Sequence, residues 1–173
     1  MRCVVQRVSR AQVVVEAVAV GSIHRGLLVL VAAMSGDTAA DAEWMERKLL
    51  SLRIFPDATG KMNLSVKDIG GAILLVSQFT LAANVGKGAR PSFVSAMHPE
   101  QARPMVDALA AALRAGSSAA IGSTATGSST GGVPVETGRF GAEMQVELVN
   151  EGPVTLWLDS RAKAGVVTPE SVE

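Results

Sequence analysis

The chain has 173 residues, 48% hydrophobic and 18% charged, and its 16 basic and 16 acidic side chains cancel to a formal net charge of zero. That balance suits one globular domain, excludes wholesale disorder, and provides no basic field to hold a long stretch of nucleic acid. One cysteine (Cys3) and two histidines (His24 and His98) exclude an internal disulfide and leave little material for a metal centre. The opening MRCVVQRVSR has no apolar leader core behind it, and no apolar run has the length of a membrane span. The expectation is a soluble protein of the reducing cytoplasm.

RCVVQRVS and AQVVVEAVAV are rich in valine and read as two early strands. GLLVLVAAM, residues 26–34, is a continuous apolar run, the pattern of a strand covered on both faces. An amphipathic helix follows, with Asp37 as its N-cap and Met45, Leu49 and Leu52 on one face. PDATG is turn chemistry. GAILLVSQFTL, residues 71–81, is a further apolar strand that ends in polar Ser77, Gln78 and Thr80.

NVGKGARPSF is a Gly-rich loop carrying Lys87 and Arg90, which could approach phosphates or simply face solvent. A second helix begins near Pro99 and stops at Gly116, with Met105, Leu109, Ala112 and Leu113 as its buried stripe; Pro104 should weaken or bend its first turns. Residues 116–135 contain Gly, Ser, Thr and Ala without charge or aromatic, a flexible-linker composition inserted in the domain. GAEMQVELVN and GPVTLWLDS are two last strands, and residues 161–173 form a tail. The order predicts a mixed α/β domain over residues 1–160.

Several motif matches fail on context. GSSTG at 127–131 fits a nucleophile elbow but lies in low-complexity sequence rather than between strand and helix. SRAK at 160–163 fits S-x-x-K but sits at the tail. His24 reads as a turn residue, His98 as a helix-entry residue and Cys3 as a small core residue. The carboxylates form no close pair in sequence. Any chemistry must lean on backbone groups, hydroxyls or the substrate itself.

Two segments alter this picture. SQFTL (77–81) and NEGPVT (150–155) together resemble the signature pair of the D-aminoacyl-tRNA deacylases. QRV, GLLVLV, RIFPDATGKMNLSV, RPSF and TGRFGAEMQVELVN are similar to that family in the same order. The insert, Pro104 and the tail look foreign to it. The resemblance implies a three-layer β/β/α fold, a homodimer, and hydrolysis of the ester joining a D-amino acid, or glycine, to the 3′-terminal adenosine of tRNA. It implies no metal and no organic cofactor; no membrane and no DNA partner are expected.

The resemblance also implies site roles. Gly152 and Pro153, joined by a cis bond, would reach into the partner subunit's site. There, two main-chain oxygens would hold the amino group and leave no room for an L side chain. Arg7 would hold that segment, although an arginine at a strand end is ordinarily exposed. Ser77, Gln78, Phe79 and Thr80 would line the pocket, with the Phe79 and Thr80 amides as oxyanion donors. Thr80 could act as nucleophile or only position the substrate, with the ribose 2′-hydroxyl helping to activate water; no neighbour in sequence serves it as base. Phe140 and Met144 would take the adenine, with core packing as the alternative. A nucleic-acid-end binding module without hydrolysis and a small-molecule esterase using Ser or Thr remain rivals.

Overall fold

The computed structural model describes residues 1–86, 88–116 and 132–162. Most of the expected insert (117–131, including GSSTG), most of the expected tail (163–173, including the lysine of SRAK) and Lys87 lie outside the described residues. The elements are β1 (Arg2–Val15), β2 (Val18–Ile23), β3 (Gly26–Ala32), α1 (Ala39–Ser51), β4 (Phe55–Pro56), β5 (Met62–Leu64), β6 (Ala72–Ser77), α2 (Pro99–Ala115), β7 (Val135–Thr137) and β8 (Gln145–Asp159), with a 3₁₀ turn at Phe79–Ala82.

The two early strands expected from the sequence are one long strand, β1, whose first half pairs with β3 and whose second half pairs with β2. Along its other edge runs β8. β6 and β7 extend the sheet in parallel from β3, giving the order β2-β1-β3-β6-β7. The alternation of strand side chains sorts two cores. Leu27, Val29, Val31, Ile73 and Leu75 face the helices, together with Met45 and Leu49 of α1 and Leu109 and Leu113 of α2. Leu28, Leu74 and Val76 face the other way, against Val13 and Val15 of β1 and half-buried Val146 and Leu148 of β8. The result is the expected β/β/α layering. β3 is buried on both faces, as its unbroken apolar run predicts. Each such Leu or Val contributes about 1.5–3 kcal/mol by leaving water.

Two local expectations need correction. The N-cap of α1 is Thr38, whose backbone N–H donates to Asp41 Oδ2 at 2.8 Å. Asp37 is buried and accepts instead from the Met34 amide (2.6 Å), while its carboxylate pairs with the Met1 ammonium (2.8 Å) and Arg161 (3.1 Å). A buried carboxylate needs compensating charge more than a helix needs a second cap. α2 spans Pro99–Ala115, as expected, with Pro104 inside its second turn. The carbonyl that Pro104 cannot satisfy belongs to Glu100, which is exposed to water in the first turn. Gly116, with φ +60°, closes α2 in the left-handed conformation, as its position predicts.

The last correction concerns the C-terminal strands. They form one strand, β8, interrupted in the middle. Gln6 pairs with Thr155 and Val8 with Asn150, so the four residues Glu151–Val154 stand opposite Arg7 alone. Proline has no N–H to offer a ladder, and the chain at Gly152-Pro153 leaves the sheet for solvent.

Candidate active site

Ser77 ends β6 opposite Val31 of β3, and the Gln78 amide still donates to the Val31 carbonyl at 2.7 Å. The chain then turns into one 3₁₀ turn, held by Leu81 N–H on the Gln78 carbonyl (3.2 Å) and Ala83 N–H on the Thr80 carbonyl (3.0 Å). The first amides of such a turn have no partner within it. Among the described residues, no hydrogen bond engages the Phe79 or Thr80 N–H. Arg2 steadies the turn from β1, donating to the Leu81 carbonyl (3.2 Å) and pairing with Asp159 (3.0 Å). The expected strand through residue 81 therefore stops at Ser77. The exit from the sheet is what frees two adjacent amides.

Gln78 Nε2 donates to the Thr80 hydroxyl. Among the described residues, no imidazole or carboxylate hydrogen-bonds to Thr80. An exposed hydroxyl used as an acceptor by an amide is oriented but not activated.

The facing wall comes from the segment before β8. Phe140 precedes the strand, and Met144 packs on the second core. Between the two walls lies a cavity of about 700 Å³ lined by Ser77, Gln78, Phe79, Phe140 and Met144. Four of its other lining residues, Phe93, Met97, His98 and Pro99, come from the loop before α2 and its start. RPSF belongs to the stretches that carry the resemblance, but nothing in the sequence gives Phe93 a role of its own. Its ring meets Phe79 edge-to-face at 5.1 Å, which holds the half-exposed Phe79 at the rim. Arg103 of α2 stacks on Phe140, with its guanidinium carbon 4.8 Å from the ring centre, and donates to the Phe140 carbonyl at 3.3 Å.

Arg7, Gly152 and Pro153 are elsewhere. Arg7 pairs with Leu27 at the start of β3, whereas Ser77 pairs with Val31, four residues on. Four strand steps are about 13 Å. Arg7 is buried, not the exposed strand-end residue of the ordinary reading. Its guanidinium donates to the Ile54 carbonyl and to the Glu151 carbonyl (3.2 Å), and lies 3.6 Å from the Glu151 carboxylate. Asn150 clasps the base of the excursion: its Oδ1 accepts from Val154 N–H (3.2 Å) and its Nδ2 donates to Thr155 Oγ1 (3.0 Å). The Gly152-Pro153 bond is cis, and both residues are exposed. The structure thus brings Ser77, Gln78, Phe79, Phe140 and Met144 together around the cavity, whereas Thr80, expected to line it as well, is exposed beside Phe79 in the turn and is not part of the lining. Arg7, Gly152 and Pro153 are held together in a second place, outside that cavity.

No group of three or more His, Cys, Asp or Glu among the described residues is arranged to hold a metal ion. No helix among them is long and apolar enough to cross a membrane. Burial pushes the Cys3 thiol far up, as an inert core residue requires.

A family model described as D-Tyr-tRNA(Tyr) deacylase matches residues 4–159. The chain belongs to this family. Its relatives include proteins named D-aminoacyl-tRNA deacylase from Thermomicrobium roseum, 52% identical over 95% of this chain and 97% of the relative, and from Paracoccus denitrificans, 51% identical over 95% and 100%. A solved structure named c-Myc DNA Unwinding Element Binding Protein is 40% identical, covers 92% of this chain and 98% of its own, and superposes with a TM-score of 0.79. A probable eukaryotic D-amino acid tRNA deacylase, 21% identical with a TM-score of 0.70, shares the fold. The family is one of hydrolases, and both stretches that carried the resemblance, SQFTL and NEGPVT, lie within the matched residues.

Proposed function

We propose that this chain is a D-aminoacyl-tRNA deacylase. In this reading residues 1–160 are one catalytic unit, and the cavity between the 3₁₀ turn and Phe140 holds the aminoacylated 3′-terminal adenosine. The single observation that carries the reading is the pair of adjacent unengaged amides, that of Phe79 on the lining of a cavity with an apolar far wall and that of Thr80 next to it in the turn. The base rests against Phe140 and Met144, apolar surfaces that suit an unstacked purine. The ester carbonyl then meets the two amides, which stabilise the oxyanion formed when water attacks. Removing one such donor typically costs about 10²–10³ in rate, so two main-chain amides are a substantial share of the catalysis. Thr80 and Gln78 orient the substrate. The ribose 2′-hydroxyl, delivered with the substrate, helps activate the water. The family's activity needs no side-chain base here, which agrees with the surroundings of Thr80.

Selectivity is assigned to Glu151–Val154. Within one chain this excursion is outside the cavity, so it acts on the site of a second copy in a homodimer. The main-chain oxygens of Gly152 and Pro153 receive the substrate amino group and fill the space an L side chain would need. A D side chain points away, and glycyl-tRNA has none, so both are accepted. Backbone atoms suit this role because side-chain substitution leaves them in place. Arg7 holds the excursion from beneath. The compartment is the cytoplasm, where charged tRNA is found.

The test is steady-state hydrolysis of D-tyrosyl-tRNA and L-tyrosyl-tRNA by the purified protein. Release of D-tyrosine with no release of L-tyrosine supports the reading. Tight binding of the tRNA end without hydrolysis, or a trapped acyl-enzyme on Ser77 or Thr80, contradicts it.

A further inference from the structure

Behind Phe140 lies a second, smaller cavity of about 250 Å³, which the reaction just described does not use. Ser77, Val106 and Phe140 line both cavities, so the two share a wall. Arg103, Asp107, Thr137 and Arg139 supply the polar lining of the smaller one. Among the described residues, neither guanidinium is consumed by a strong internal partner. Arg103 there engages the ring and the carbonyl of Phe140. Arg139 lies 3.7 Å from Glu16, but both side chains are largely exposed, and such pairs contribute little. Asp107 forms no ion pair with either arginine among the described residues. The lining therefore carries an excess of one positive charge, set against the wall that the cleft offers to a base.

We propose that Arg103 and Arg139 seat the phosphate on the 5′ side of the terminal adenosine. The proposal rests on the reading of the cleft given above and extends it by one chemical group. A nucleoside lying against one face of Phe140 carries its 5′ phosphate within reach of a guanidinium fixed on that same residue. The planar guanidinium matches a phosphate with two parallel N–H donors. It also gives the tRNA end a fixed direction: ester at the Phe79 and Thr80 amides, base at Phe140, and the chain leaving past α2. A protein with zero net charge can hold tRNA in this way, through one local anion site rather than a broad basic face.

The experiment compares two substrates, 3′-O-(D-tyrosyl)adenosine and the same ester bearing a 5′ phosphate, at low ionic strength. The readout is the ratio of their kcat/KM values, which cancels any general loss caused by disturbing Phe140. A charge-assisted bond predicts a ratio of about ten for the unmodified protein, expressed in KM rather than kcat. Arg103→Gln brings the ratio to about one, Arg103→Lys restores part of it, and Arg139→Gln lowers it in a fully folded protein. A ratio of one for the unmodified protein, or an unchanged ratio in both glutamine variants, overturns the proposal. If neither ester is hydrolysed while the tRNA ester also resists, the reading of the cleft itself has failed, and the phosphate seat falls with it.

Discussion

Replacing Gly152 by alanine adds one methyl group where the chain has least room for it. Gly152 has φ +119°, a region that L residues occupy at a cost of about 1–3 kcal/mol. A Cβ there would lie 2.7 Å from Arg7 Nη2 and 3.0 Å from Val154 Cγ2. The tip of a free arginine would move aside at small cost. This one is buried and bonded to the Ile54 and Glu151 carbonyls, so moving it breaks a charge-assisted hydrogen bond worth about 1.5–3 kcal/mol. Together the two effects come to about 3–5 kcal/mol, or roughly 10 °C in melting temperature for a chain of this size. The excursion that remains is displaced, so hydrolysis of L-tyrosyl-tRNA rises while hydrolysis of D-tyrosyl-tRNA continues. Thermal melts followed by circular dichroism and the two deacylation rates check both parts. A melting temperature within about 2 °C of the unmodified protein, with D selectivity intact, would refute the reasoning about Arg7 and the strained glycine.

Other expectations follow from the same geometry. Thr80→Val removes the hydroxyl that Gln78 orients but not the neighbouring amides, so kcat should fall by about tenfold, the scale of one lost neutral hydrogen bond. A fall of about 10⁴ or more would instead make Thr80 the nucleophile. Asp57 is held well below the usual aspartate range by hydrogen bonds from the Asn63 side chain and from Thr59, and Asp68 is lowered by those from Ser65. A carboxyl depressed in the folded state stabilises above its unfolded value and loses that contribution as the pH falls through its folded one. Melting temperature should therefore hold above about pH 4 and drop below it, less steeply in Asp57→Asn. A thiol reagent should leave native protein unlabelled and modify Cys3 only in urea; labelling without denaturant would contradict its burial.

Much of the fold was legible because its signals are periodic. The unbroken apolar run of β3, the helix stop at Gly116 and the turn at PDATG each follow from local chemistry. What the sequence hid depends on pairing. Nothing in RCVVQRVSRAQVVV says that one strand serves two partners, since that choice lies in β2 and β3. The 3₁₀ turn at Phe79 looked like strand because Phe, Thr and Leu are good strand residues; the sheet ends where β3 runs out. The site was less legible still. Phe93 carries no motif of its own and matters through a contact with Phe79. Arg7 was assigned to the Gly152-Pro153 segment through the resemblance alone, since an arginine at a strand end is ordinarily exposed; the four-residue excursion opposite it shows why a buried arginine is needed there. Asp37 looked like a helix cap because the groups that claim it, the Met1 ammonium and Arg161, are distant in sequence.

The claim on which the account turns is that one copy's Glu151–Val154 screens the site of another. Mixing two variants tests it most directly. A first variant, Phe140→Ala with Met144→Ala, keeps an intact excursion but has a ruined cleft. A second, Gly152→Ala, keeps an intact cleft beside a displaced excursion. Excess of the first is exchanged into the second, and hydrolysis of L-tyrosyl-tRNA and D-tyrosyl-tRNA is followed. The account predicts that L hydrolysis disappears as mixed dimers form, while D hydrolysis persists. L hydrolysis that stays proportional to the second variant alone would contradict it.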